Sequence, residues 1–388
     1  MIKLRDVASY VSEKVDIGLL KVQDYITTDN MLSNRRGIII GNDLPKADKV
    51  TKFERGDILV SNIRPYFKKI WYATFNGGCS NDVIVFRANG INSKFLYYVL
   101  SQNAFFDYMM AGANGTKMPR GNKNLIPDFE LLNFSPVQQE HISSILSTFD
   151  SLIENNQKQI NLLEETAQRL YKEWFIDLRF PGNENVDIVD GIPERWNINC
   201  ADHYFKITIG KTPSRAEKQW FTNSGEGTPW ISISDMGEAG VFCFYSKEDL
   251  TADAIVRHNM KVVPKGSILV SFKLTIGRVA ITGVDMCTNE AIAHFYIDND
   301  LDRAYTYCYL KNFEYDSLGN TSSISKAINS KIIKSMPFIM PTRDILERFS
   351  LIVQPILDQI EFKQIMIFRL TEARNRLLPK LMSGEIEV

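Results

Sequence analysis

Three hundred and eighty-eight residues, 44% hydrophobic and 23% charged, are too many for one ordinary domain and too apolar for a disordered or fibrous chain. No apolar run approaches the roughly 20 residues of a membrane helix. The start, Met-Ile-Lys-Leu-Arg-Asp, is charged where a signal peptide is apolar, so a cytoplasmic protein without membrane attachment is expected. Taken whole, a net charge of −1 argues against a nucleic-acid partner.

In chain order, the first elements recur. Gly56-Asp57-Ile58-Leu59-Val60-Ser61 returns as Gly266-Ser267-Ile268-Leu269-Val270-Ser271, and Cys79-Ser80-Asn81-Asp82-Val83-Ile84 as Cys287-Thr288-Asn289-Glu290-Ala291-Ile292. Leu96–Leu100 echoes Thr306–Leu310, and Asn122–Ile126 echoes Asn329–Ile333. The offset stays between 207 and 210, so the matches are collinear and the chain reads as two copies of one unit, 1–182 and 183–388. Each copy opens with short β-branched runs, such as Asp82–Phe86 and Arg278–Thr282, separated by turns. Each then turns helical. Ser135 with Pro136 starts one helical segment, which has a break near Ser147 and stops at Phe180-Pro181-Gly182. Pro341-Thr342 and Ser383-Gly384 bound the other, and Asp187–Trp196 reads as a linker. The boundaries expected are 1–135, 136–182, 183–340 and 341–388.

Phe149, Ile153, Asn156, Ile160, Leu163, Ala167, Leu170 and Trp174 alternate in steps of four and three, an a/d heptad seam. Adding 207 gives Ile356, Ile360, Lys363, Ile367, Leu370, Arg374, Leu377 and Leu381, a second seam in the same phase. Asn156 and Lys363 interrupt both seams at one position, as polar residues that set register do. The competing reading is that each helix packs on its own globular core. Pairing of the two requires them to run antiparallel, with one globular domain at each end and a pseudo-twofold axis between. The 26 residues of the first seam span about 39 Å, close to one turn of B-DNA.

Counting charge by segment dissolves the neutral balance. Residues 1–135 carry 18 Lys and Arg against 13 Asp and Glu, while 136–182 and 183–340 are each net −3 and 341–388 are neutral. The first globular part is basic enough for a phosphate-tracking face. Arg64, Lys68 and Lys69 follow the repeated serine in copy one, Lys273 and Arg278 in copy two. The flexible loop Gly112–Lys123 holds Lys117, Arg120 and Lys123; its counterpart, Gly319–Lys331, holds Lys326 and Lys331. Arg35 and Arg36, in Asn34–Gly37, are a weak parallel to Ile209–Arg215, which brings Lys211, Arg215 and, beyond it, Lys218. Arg, Lys, Asn and Ser are the side chains that read base edges and phosphates. A solvated surface charge is the competing reading for any one of them; the clusters carry the signal.

Catalytic chemistry leaves no mark. No phosphate-loop or dinucleotide motif is present, nor an Asn-Pro-Pro-aromatic motif. The four histidines (141, 203, 258, 294) lack metal-ligand spacing, and the five cysteines form no C-x-x-C pair, so neither a metal site nor a disulfide framework is expected. His294 reads as a satisfied core histidine, and Cys79 and Cys287 as buried thiols.

Several phrases then identify a resemblance: Ser135-Pro136-x-Gln138-Gln139-Glu140-x-Ile142-x-x-Ile145-Leu146, Asp150-x-x-Ile153, Leu170-Tyr171-Lys172-Glu173-Trp174-Phe175, Gly191-x-Pro193-x-x-Trp196 and Leu377-Leu378-x-Lys380-Leu381-x-Ser383-Gly384. The chain resembles the specificity subunit of type I restriction–modification systems over essentially its whole length. Copy one departs from the pattern in lacking the Trp-containing lead-in before its first strand. The resemblance implies an α+β tandem repeat: two strand-rich mixed α/β target recognition domains separated by two long, antiparallel, coiled-coil-like helices. It implies a non-catalytic subunit without a cofactor, binding double-stranded DNA. Each domain would read one half of a bipartite site, and the helices would set the gap between halves. Two methyltransferase subunits carrying S-adenosylmethionine would dock around the helices. Restriction subunits would complete an ATP-dependent translocase and endonuclease. Because the basic loops of the two copies differ, an asymmetric site is expected. A helical scaffold with two protein-binding heads and a single-chain nuclease are the competing functions.

Overall fold

The computed structural model describes residues 1–115, 117–318 and 328–388. These divide into two compact units, Met1–Ile153 with Arg369–Val388, and Glu154–Phe368. Each unit therefore holds a globular part and a portion of both long helices.

In the first unit the apolar run Ile58–Ser61 is buried throughout, as a central strand of a covered sheet must be. It lies between Val83–Ala88 and Ile70–Tyr72, with Ala8–Tyr10 beyond, all antiparallel. A second sheet runs Lys14–Asp16, Lys49–Phe53, Gly77–Cys79, Tyr25–Ile26, the last pair parallel. The second unit repeats the plan of the first of these sheets. Ile268–Ser271 lies between Ile292–Phe295 and Val279–Thr282, with Ile207–Ile209 outside. The register is also repeated: Ile58↔Phe86 and Ser61↔Val83 in one, Ile268↔Phe295 and Ser271↔Ile292 in the other. Gly56 and Gly266 both enter their strand at positive φ, 97° and 86°, where a side chain would be strained. Unit two adds a fifth strand, Phe242–Cys243, parallel to Val279–Thr282.

Helices Ser93–Leu100 and Asp300–Asn312 carry the repeated Leu96–Leu100 and Thr306–Leu310 runs. The first long helix, Pro136–Tyr171, begins at a reciprocal cap: Ser135 Oγ accepts from the Gln138 amide at 3.4 Å, and Gln138 Oε1 accepts from the Ser135 amide at 3.0 Å. The break expected near Ser147 does not occur. Ser147 donates its hydroxyl to the Ser144 carbonyl at 3.1 Å, and the helix continues into a final π turn, Lys172–Ile176. The second long helix is Arg343–Met382. The linker Asp187–Trp196 contains a small hairpin, Ile188–Val189 on Ile192–Pro193, turned through Asp190 and Gly191 at positive φ. Trp196 is buried against Phe175 and Phe180, ring centroids 5.6 and 5.3 Å away.

Within the first unit Ile142 and Leu146 share a core with Phe95, Phe105, Leu378 and Leu381. Within the second, Ile160, Ala167, Tyr171 and Trp174 share one with Phe349, Val353, Leu357 and Ile360. Phe349 lies 5.7 Å from the Trp174 ring and 4.9 Å from Phe175. Among the seam residues Ile160, Trp174, Ile360 and Leu381 are buried, while Ile153, Asn156, Leu163, Leu170, Lys363, Ile367, Leu370 and Leu377 are half-buried. Leu152 and Leu162, off the seam, are exposed. Among the described residues no helix is long and apolar enough to cross a membrane.

Candidate nucleic-acid interface

Three separate basic segments of the first unit meet on one surface. The turn after Ser61 is closed by Ser61 Oγ donating to the Ile63 carbonyl at 3.0 Å, and by the Lys68 amide donating to Pro65 at 2.8 Å. The Asn34 and Arg35 amides donate to the Phe67 and Lys68 carbonyls at 2.8 and 3.0 Å, which docks the Arg35–Arg36 turn on it. On the other side the Arg64 amide donates to Pro119 at 2.8 Å, and Ile63 bridges Arg120. The Gly112–Lys123 loop is therefore clasped, with Asn114 and Arg120 exchanging backbone bonds at 2.9 and 3.0 Å. Asn103 Oδ1 accepts from both Arg35 Nη2, at 2.5 Å, and Lys68 Nζ, at 2.8 Å.

Charge here is only partly compensated. Arg120 pairs with Asp82 at 3.2 Å, and Lys69 donates to the Thr28 carbonyl at 2.6 Å. Burial, and then the positive charge of Arg374, hold the Arg35 guanidinium below its ordinary pKa; burial does the same to Lys69. Arg35 Nε, Arg64 Nε and Asn62 Oδ1 are buried with no protein partner, where a polar atom costs free energy until something pairs with it. Arg36 donates to the Ser33 carbonyl at 3.2 Å, Lys117 is exposed, and Lys123, also exposed, accepts the Tyr10 hydroxyl on its carbonyl at 2.9 Å.

The second unit distributes its cations differently. Lys273 is exposed on the turn after Ser271. Arg278, at the end of that turn, donates Nη1 to the Ile233 carbonyl and packs on Gly237, so its guanidinium is engaged by the fold. Arg215 lies against both rings of the edge-to-face pair Phe221 and Trp230, 4.3 and 4.6 Å from their centroids, and pairs with Glu248 at 2.5 Å. Lys211 donates to the His258 carbonyl at 2.7 Å; Lys218 and Lys331 are exposed at helix starts. Lys326 lies outside the described residues. The parallel between Asn34–Gly37 and Ile209–Arg215 does not hold. The former follows Tyr25–Ile26 in the second sheet, the latter leaves Ile207–Ile209, whose counterpart is Ala8–Tyr10 in the first.

Residues read as core are core. His294 is fully buried between Thr208 Oγ1, 2.9 Å from Nδ1, and Thr288 Oγ1, 2.7 Å from Nε2. Burial pushes the Cys79 and Cys287 thiols up to about 12 and about 11, so neither is a nucleophile at neutral pH. Sequence reasoning missed Tyr66, Phe67 and Leu274, large apolar side chains that stay exposed at the turns after the repeated serines. Composition alone assigns such residues to a core; their place between basic turn residues was the available signal.

The chain is thus a duplicated strand-rich unit with a cation-bearing turn at the same place in each copy, the build of a modular tandem-repeat protein. Residues 2–165 and 193–365 match the profile of the type I restriction modification DNA specificity domain, and the chain belongs to that family. It is 28% identical to the type I restriction enzyme MjaIX specificity subunit of Methanocaldococcus jannaschii, over 87% of this chain and 79% of that one. It is 26% identical to the type I restriction enzyme HindI specificity subunit of Haemophilus influenzae, over 99% and 98%. The crystal structure of a type I restriction–modification system S subunit from M. genitalium matches with a TM-score of 0.60 at 15% identity, covering 98% of this chain and 95% of that one, a likeness of fold.

Proposed function

We propose that this chain is the non-catalytic DNA-reading subunit of a type I restriction–modification complex, in which each globular domain, 1–135 and 183–340, reads one half of an asymmetric, interrupted site. The observation that carries the reading is the convergence of Arg35, Arg64, Lys68, Lys69 and Arg120 on one surface of the first unit, with buried polar atoms awaiting partners. Guanidinium and ammonium groups held at separate turns suffice to follow a phosphate backbone. In the second domain Lys211, Lys218, Lys273 and Lys331 take that role, with Arg215 held over the edge-to-face pair of Phe221 and Trp230. Different cation sets on a shared strand plan imply different half-sites.

The helical segments 136–182 and 341–388 form an antiparallel, coiled-coil-like pair that sets the gap and docks two methyltransferase subunits; restriction subunits join the same assembly. Two contacts support the antiparallel direction: Asp150 meets Arg374 in one unit, and Trp174 meets Phe349 in the other. The complex acts in the cytoplasm. Mapping the methylated motif in DNA exposed to the complex tests the reading. An interrupted motif with two unlike halves is expected, and a continuous palindrome refutes it.

A further inference from the structure

The turn after the repeated serine does something else that is alike in both units: it holds large apolar side chains out in solvent. In the first unit Tyr66 and Phe67 are 47% and 37% exposed, with ring centroids 4.6 Å apart. They sit between Arg64 and Lys68, both left-handed at φ 49° and 51°. In the second unit Leu274 is 95% exposed at φ 62°, and Ile276 is 37% exposed. A bulky residue at positive φ is disfavoured, and persists only where surrounding bonds fix it. Those bonds are present. Ser271 Oγ accepts from the Arg278 amide at 3.0 Å and donates to the Thr275 carbonyl, while Gly277 donates to the Ser271 carbonyl at 2.9 Å.

Leu274 covers no core, and Tyr66 and Phe67 leave about half and over a third of their surface in solvent, with the Lys69 ammonium 5.8 Å from the Phe67 ring centroid. Backbone hydrogen bonds close both turns, Lys68 to Pro65 at 2.8 Å and Gly277 to Ser271 at 2.9 Å, so the apolar groups are placed by the fold. Cations surround them: Arg64, Lys68 and Lys69 in the first unit, Lys273 in the second. A polyanion with apolar surface below its charged rim matches that arrangement, and the duplex offers it as base edges and thymine methyl groups beneath the phosphates.

We infer that Tyr66 with Phe67, and Leu274 with Ile276, are apolar probes that pack on the base pairs of the two half-sites while the neighbouring cations hold phosphates. The inference rests on the DNA reading proposed above and adds a specificity-determining contact to it. Apolar packing releases no counterions, so its contribution should not depend on salt, unlike that of a lysine on a phosphate.

The test uses the chain assembled with its methyltransferase subunits and a duplex carrying the mapped methylation motif. Leu274→Asn keeps a residue that tolerates the left-handed conformation but removes the apolar tip. Leu274→Gly removes both the tip and the strain. Each should weaken binding to the motif by about tenfold, equivalent to about 1.4 kcal/mol, by the same factor at every salt concentration. The paired change Tyr66→Ser with Phe67→Ser should do likewise. Thermal melting of the Leu274 variants should be unchanged or higher, since both relieve the left-handed strain, and binding to a scrambled duplex should be unaffected. Lys273→Ala is the contrast, lowering the salt slope by about one. Wild-type discrimination with unchanged Leu274→Asn and Leu274→Gly binding overturns this inference alone, as does a loss accompanied by a shallower salt slope. A wild-type complex that cannot tell motif from scrambled duplex overturns the DNA reading as well.

Discussion

Arg374, near the end of the second long helix, donates through Nη1 to Asp150 of the first, and the same carboxylate accepts the Tyr98 hydroxyl at 2.6 Å. Subtracting and adding the repeat offset of 207 gives Ala167 and Leu357, both fully buried in the other unit. One copy thus uses an ion pair where the other uses apolar packing. Arg374→Leu should destabilise the first unit by about 1–3 kcal/mol, because it leaves a half-buried carboxylate with only the tyrosine as partner. Adding Asp150→Leu should recover part of that loss. Chemical denaturation of the two variants measures both effects; an additive pair would show that the ionic contact is not coupled.

His294 makes stability depend on pH. Burial between two threonines lowers its pKa from 6.5 to about 4 in the folded chain. Between those values the unfolded chain binds a proton that the folded chain excludes, so stability rises with pH across the window and is complete above pH 6.5. The full difference is about 3 kcal/mol, lost progressively as pH falls from 6.5 to 4. Urea melts at pH 7 and pH 5 should differ accordingly. His294→Val, which places the residue found at the equivalent Val85, should remove this part of the dependence even though it leaves Thr208 and Thr288 to find other partners.

Lys68 and Arg278 hold different partners: Lys68 Nζ shares an exposed asparagine, whereas Arg278 Nη1 holds a backbone carbonyl of the fold. Lys68→Ala should weaken binding to all duplexes alike and reduce the slope of log affinity against log salt by about 0.9. Arg278→Ala should leave that slope unchanged and lower thermal stability instead, since its guanidinium holds the Ile233 carbonyl. Titrations of the two variants at several salt concentrations separate the cases; a reduced slope for Arg278→Ala would place it on the DNA.

Such a difference was hidden in the sequence, where Lys273 and Arg278 are two cations in one loop. Which of them folds back depends on Gly237, 41 residues away, leaving room for a guanidinium. The duplication was legible because register is conserved with the residues that make it: buried Ile58–Ser61 and Ile268–Ser271 meet matching partners. The extra strand Phe242–Cys243 was not, being two residues long within the acid-rich stretch Glu226–Asp253. The helix runs through Ser147 because the Ser147 and Thr148 hydroxyls both point back to the Ser144 carbonyl and leave the backbone ladder intact.

The helical ruler can be tested where it is least entangled with either core. Ile160 and Ala167 belong to the second unit's core, and Leu146 to the first, so the stretch Glu154–Gln159 is the place to lengthen the first helix without disturbing packing. The second helix passes between units at Phe368–Arg369. Inserting seven residues at each place adds two turns, about 10.5 Å, and preserves the phase of both seams. If the helices set the gap, the methylated motif should keep both half-sites and widen its unread interval by about three base pairs. Sequencing of methylated DNA reads this directly. A four-residue insertion in one helix alone should instead break the seam register and abolish methylation, because the polar positions Asn156 and Lys363 would no longer fall in phase. A motif whose bases change on the seven-residue insertion would mean that the helices take part in reading.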